Sequence, residues 1–73
     1  MARLFGRMDI KERFGDAVRA ARIAAGLSQE ELAMRLDADQ AYVSRIEAGR
    51  MNVTLETVAA IAEALDVAPR ALF

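Results

Sequence analysis

The chain has 73 residues, 55% hydrophobic and 29% charged, with no cysteine, histidine or tryptophan, which fits one small soluble domain and excludes Ser-His or Cys-His nucleophiles, thiolate chemistry and an ordinary zinc site. Neither an enzyme nor a metal or other cofactor is expected, and a domain that buries only about 60% of its unfolded surface, without disulfides, must rely on packed helices or a partner subunit. The formal net charge of −1 gives no bulk attraction to nucleic acid or an anionic membrane, so any polyanion site is local.

Residues 1–8, with Arg3 and Arg7 among Leu4 and Phe5, have no periodicity and read as a loose N-terminal arm. They lack the apolar stretch of a signal peptide, and no apolar run approaches the ~20 residues that span a bilayer, so a cytoplasmic protein with no membrane partner is expected. From residue 9 to residue 73 the composition favours helix, with glycines and the single proline as punctuation. Ile10, Phe14, Val18 and Ala21 recur at three- and four-residue intervals, which predicts a first helix from about Asp9 to Ala25, stopped by Gly26. Ser28 and Glu31 have the spacing of a capping box, flanked by Leu27 and Leu32 as a hydrophobic staple. A second helix should therefore run from Gln29 to about Leu36, with Asp37 tolerating a left-handed conformation at its end. Asp39 can cap a third helix, Gln40 to Ala48, that buries Val43 and Ile46 and ends at Gly49. After a loop from Arg50 to Val53, Thr54 caps a fourth helix whose apolar stripe is Leu55, Val58, Ile61, Ala62 and Leu65. Pro69 is preorganised for the first turn of a short fifth helix ending in Leu72 and Phe73.

Helices two and three, joined by Asp37 and Ala38 with Asp39 as cap, match the spacing of a helix-turn-helix. Ala33 lies on the inner face of helix two, where a larger side chain would push helix three away. The remaining face of helix three is small or polar and can point outward, as a helix entering a major groove does.

At these residues the chain resembles a known family. The stretch GLSQEELAMRLDADQAYVSRIEAGR, Gly26 to Arg50, is similar to the helix-turn-helix DNA-binding domains of the lambda-repressor and Cro type, also called the xenobiotic-response-element family. The resemblance extends over about Phe14 to Phe73, through FGDAVRAARIAAGLSQ and NVTLETVAAIAEALDVAPRALF. It implies an all-α, five-helix lambda-repressor-like domain that binds a double-stranded DNA operator with an inverted repeat. Within the family, the length and the NVTLE-like loop look most like controller proteins of restriction-modification systems, while small phage repressors and antitoxins share the architecture. Three positions depart from the family pattern: Asp37 stands where glycine is usual, Ala38 where a larger apolar residue is usual, and Ala41 where relatives often place a longer polar base-reading side chain.

Carried onto this sequence, the resemblance makes Gln40, Ala41, Ser44 and Arg45 the candidate base-reading positions. Arginine can donate two bonds to guanine and glutamine can pair with adenine, whereas Ala41 offers no hydrogen bond. Arg22, Gln29, Tyr42, Arg50 and Asn52 are the candidate phosphate contacts. For Gln29 the alternative is an exposed first-turn residue, and for Tyr42 a packing role. The resemblance also implies that Arg22 on helix one pairs with Glu47 at the end of helix three. Glu30 and Glu31 are assigned to helix capping and the helix dipole. Leu65, Val67, Leu72 and Phe73 either close the core of one subunit or line a two-fold interface of a homodimer. A homodimeric, autoregulatory transcription regulator is expected, with no small-molecule ligand evident. The alternative is an antitoxin-like module that binds a partner protein, a reading that an apolar outer face on helix three would favour.

Overall fold

Side-chain caps decide where each α-helix begins. The structure, a computed structural model, describes residues 9–73, so the arm expected over residues 1–8 lies outside the described residues. Asp9 opens α1 (Ile10–Ala24) with a capping box: its carboxylate accepts from the Glu12 N–H at 3.0 Å, and Glu12 accepts from the Asp9 N–H at 3.2 Å. Ser28 opens α2 (Gln29–Arg35) in the same way. Asp39 caps α3 (Gln40–Glu47) by accepting from the Tyr42 N–H at 2.9 Å, and Thr54 caps α4 (Leu55–Leu65) by accepting from the Thr57 N–H at 3.1 Å. Each cap satisfies a backbone donor that the first turn would otherwise leave free.

The architecture is all-α, with no strand among the described residues. The expected fifth α-helix is instead a single 3-10 turn, Pro69–Leu72, and Phe73 falls outside it. Four residues, Pro69 the first of them, are too few for an α-helical ladder, and the turn closes on shorter i→i+3 bonds: Ala71 N–H to Ala68 O at 2.9 Å and Phe73 N–H to Arg70 O at 3.3 Å. The connection from α2 to α3 turns at Asp37, whose φ of 56° is left-handed. An aspartate tolerates that conformation, and the turn closes when Ala38 N–H donates to Ala33 O at 2.9 Å.

The core takes Phe14 and Val18 from α1, Leu32 and Ala33 from α2, Val43 and Ile46 from α3, Val58, Ile61, Ala62 and Leu65 from α4, and Leu72 from the last turn. Two residues of the expected apolar stripes stand outside it: Ile10 is 58% exposed and Leu55 is 82% exposed. Both are the first residue of their helix, where Cα–Cβ bonds lean toward the N-terminus and carry the side chain past the packed body. α3 packs on both α1 and α2, while the last turn packs on α4 and α1. The two-helix unit is thus seated on a scaffold of α1 and α4.

In the α2 capping box the Ser28 backbone N–H donates to Glu31 Oε1 at 2.7 Å. That bond, with smaller help from the Ser28 hydroxyl and the Arg35 charge, holds the Glu31 carboxyl below its ordinary range. A depressed folded-state pKa contributes stability that is complete above the unfolded value and is lost as pH falls through the folded one. Thermal melts of wild type and Glu31→Gln across the acid range should therefore converge as pH falls below the carboxylate range, the wild type losing the greater share. Parallel loss in both proteins would show that the Glu31 charge adds nothing.

Candidate nucleic-acid interface

α3 divides cleanly into two faces. Val43, Ile46 and Glu47 are buried, Tyr42 is half-buried, and Gln40, Ala41, Ser44 and Arg45 are exposed. The exposed positions recur at the three- to four-residue period of one helical face, and the side chains on it are small, amide, hydroxyl or guanidinium. No acid stands among them. Beyond α3 the chain turns at Gly49, whose φ of 74° is left-handed and favours glycine, and presents Arg50 and Asn52 to solvent.

What holds this face in place is a buried carboxylate. Glu47 keeps only 4% of its side chain exposed and faces Arg22, whose side chain keeps 11%. Arg22 Nε donates to Glu47 Oε2 at 2.6 Å and Nη2 donates to Oε1 at 3.1 Å, a two-pronged pairing, while Nη1 donates to the Leu27 backbone oxygen at 2.8 Å. The bond to Glu47 raises the Arg22 pKa against the opposing effect of burial, so the guanidinium stays charged at every accessible pH. Gln29, the first residue of α2, adds a third donor: its Nε2 gives a hydrogen bond to Glu47 Oε1 at 3.0 Å. One carboxylate therefore ties together the last turn of α1, the start of α2 and the end of α3.

The network continues to the exposed face. Gln40 Nε2 donates to Gln29 Oε1 at 3.3 Å, so Gln29 bridges the ion pair to the first residue of α3. Gln29, expected at a phosphate or as an exposed first-turn residue, makes two side-chain bonds that its sequence context does not predict. No local signal marks them, since Gln29 and Glu47 are 18 residues apart and Gln40 and Gln29 are 11 apart. Arg22 retains two guanidinium N–H groups beyond its three bonds, and Gln29 retains one amide hydrogen.

The apolar end of the chain divides. Leu65 and Leu72 are 4% and 0% exposed inside one subunit, which corrects their assignment to an interface: α4 directs Leu65 inward, and the last turn lays Leu72 against α1 and α4. Val67 is half-buried, packed against this core. Phe73 is 56% exposed, with its ring tilted against Phe14 at a centroid distance of 5.7 Å. It borders a largely apolar groove shared with Ile10, Met51, Val53 and Leu55, which Asn52 also lines. Among the described residues no cluster of acids could hold a metal ion, and no helix is long and apolar enough to cross a membrane.

Known proteins are similar to this chain in sequence and fold. Residues 18–72 match the helix-turn-helix family. The chain is 40% identical over 65 residues to the control protein C.BamHI of Bacillus amyloliquefaciens, an alignment covering 88% of this chain and 80% of that one. Its fold superposes with a TM-score of 0.80 on the restriction-modification controller protein C.AhdI from Aeromonas hydrophila, with 45% sequence identity, covering 85% of this chain and 94% of that one. The restriction-modification controller protein C.Esp1396I, solved as a tetramer in complex with its natural 35 base-pair operator, gives a TM-score of 0.79 at 26% identity, covering 89% of this chain and 86% of that one.

Breaking a buried ion pair by removing one partner costs about 3–5 kcal/mol, because the other charge is stranded, whereas an exposed acid in a first helical turn contributes under about 1 kcal/mol. Glu47→Ala should therefore lower the unfolding free energy far more than Glu30→Ala, as denaturant titration would measure. Equal losses would remove the pair from the forces that hold α3.

Proposed function

Because this chain belongs to the lambda-repressor/Cro-like helix-turn-helix family, we propose that it is a sequence-specific transcription regulator of the restriction-modification controller type. It binds double-stranded operator DNA as a homodimer through residues 9–73 and controls its own operon. The observation that carries this reading is the outer face of α3, polar and free of acids while the opposite face is locked into the core. Such a face suits base edges in a major groove. An antitoxin-like module would instead need an apolar surface there.

Arg45 and Gln40 are assigned to base edges, Ser44 to base or phosphate, and Ala41 to apolar contact alone. Arg50, Asn52, Tyr42, the free amide hydrogen of Gln29 and the two free guanidinium N–H groups of Arg22 are assigned to phosphates. Arg45 and Arg50, both exposed, give the face a local positive character that the formal net charge of −1 conceals. One helix-turn-helix reads only a few base pairs, so specificity calls for two reading heads related by a two-fold axis. Phe73 and Val67, with Ile10, Leu55 and the groove beside them, are assigned to that axis. None of them is a base-reading residue, so both α3 helices remain free to face one side of the duplex.

Selection of a duplex from a random-sequence library, followed by footprinting, tests the reading. The protein should protect an inverted repeat with half-sites about 10 base pairs apart or a multiple of that, and sediment as a dimer. A monomer that protects a single unrepeated site would contradict it. On that duplex Arg45→Ala should lose about 1–3 kcal/mol of affinity and relax preference at one base pair. Uniform weakening on every sequence would reassign Arg45 to a phosphate.

A further inference from the structure

Gly15 lies inside α1 and is buried. Glycine in a helix interior is less stable than alanine, so local helix formation gives no reason for it. Its surroundings do. A Cβ at this position would collide with the Ile46 backbone oxygen and lie 2.7 Å from the Glu47 backbone oxygen and 3.0 Å from the Glu47 carbonyl carbon. These atoms belong to the backbone at the end of α3, not to flexible side-chain tips, so a methyl group could be accommodated only by moving α3 away from α1. The chain leaving α3 sits equally close: a Cβ at Gly49 would lie 2.8 Å from Glu12 Cγ and 3.0 Å from Glu12 Cα. Glu47 is thus held twice, its carboxylate by Arg22 and Gln29 and its backbone against Gly15.

We propose that Gly15 is a positioning residue for base reading. Its missing side chain sets the spacing between α1 and α3, and with it the height at which Arg45 and Ser44 stand above the scaffold that carries Arg22. Paired hydrogen bonds to a base edge tolerate little displacement, since donor–acceptor distances occupy a window of only about 0.5 Å. Phosphate contacts from long side chains adapt to the same shift. A methyl group at residue 15 therefore reduces discrimination between sequences more than it reduces attachment to DNA. The inference rests on the DNA-reading role assigned to α3.

The test compares wild type and Gly15→Ala on the duplex selected by wild type and on a random-sequence duplex of equal length, with circular dichroism at the assay temperature. The variant should stay helical, bind the selected duplex about tenfold more weakly or worse, and bind the random duplex within about twofold of wild type. Unchanged affinity for the selected duplex, equal losses on both duplexes, or a variant that does not fold would each overturn the positioning role. Wild type that itself shows no preference for a selected duplex would overturn the DNA-reading role, and the positioning role with it.

Discussion

The orientation of α3 depends on one buried carboxylate. Burying a carboxylate with 4% of its side chain exposed is costly unless donors replace the water it has lost. Glu47 has three such bonds, two from Arg22 and one from Gln29. The two donor residues stand on different helices, α1 and α2, so satisfying the charge fixes the placement of both relative to α3 at once. Apolar packing of Val43 and Ile46 buries the inner face but is non-directional. The directional bonds add the angular restraint that an outward face of definite orientation requires. Through Gln29 the restraint reaches Gln40, the first side chain of that face.

Helices of seven and eight residues are far too short to persist alone in water, where about 12–15 residues are marginal. α2 and α3 exist because their ends are capped and their inner faces are covered. Asp37, left-handed at φ 56°, lets the second follow the first without a glycine. Arg35 Nη1, donating to the Ala64 backbone oxygen at 2.9 Å, fastens the end of α2 to α4.

Much of this was legible in the residues. Ser28 with Glu31, Asp39, Thr54, Gly49 and Pro69 mark helix ends by chemistry acting within three or four positions, and the two-helix unit follows from their spacing. Asp9 and Glu12 carry the same capping-box spacing. Long-range geometry was less accessible. Nothing near Leu65 or Leu72 distinguishes a residue that closes its own core from one that awaits a partner, since both are apolar residues at the right period. Leu55 belongs to the stripe by periodicity and leaves it because it stands first in its helix. The bonds of Gln29, and the approach of α3 to Gly15, depend on how three helices meet.

The most direct measurement of the role of Glu47 is a double-mutant cycle on unfolding free energy with Arg22→Ala, Glu47→Ala and the double variant. If the carboxylate and guanidinium hold the helices together as a unit, each single variant strands a buried partner and the double variant loses less than their sum. The coupling should exceed about 1 kcal/mol. Losses that add to within about 0.5 kcal/mol would mean that the two side chains act independently and that their pairing does not orient α3.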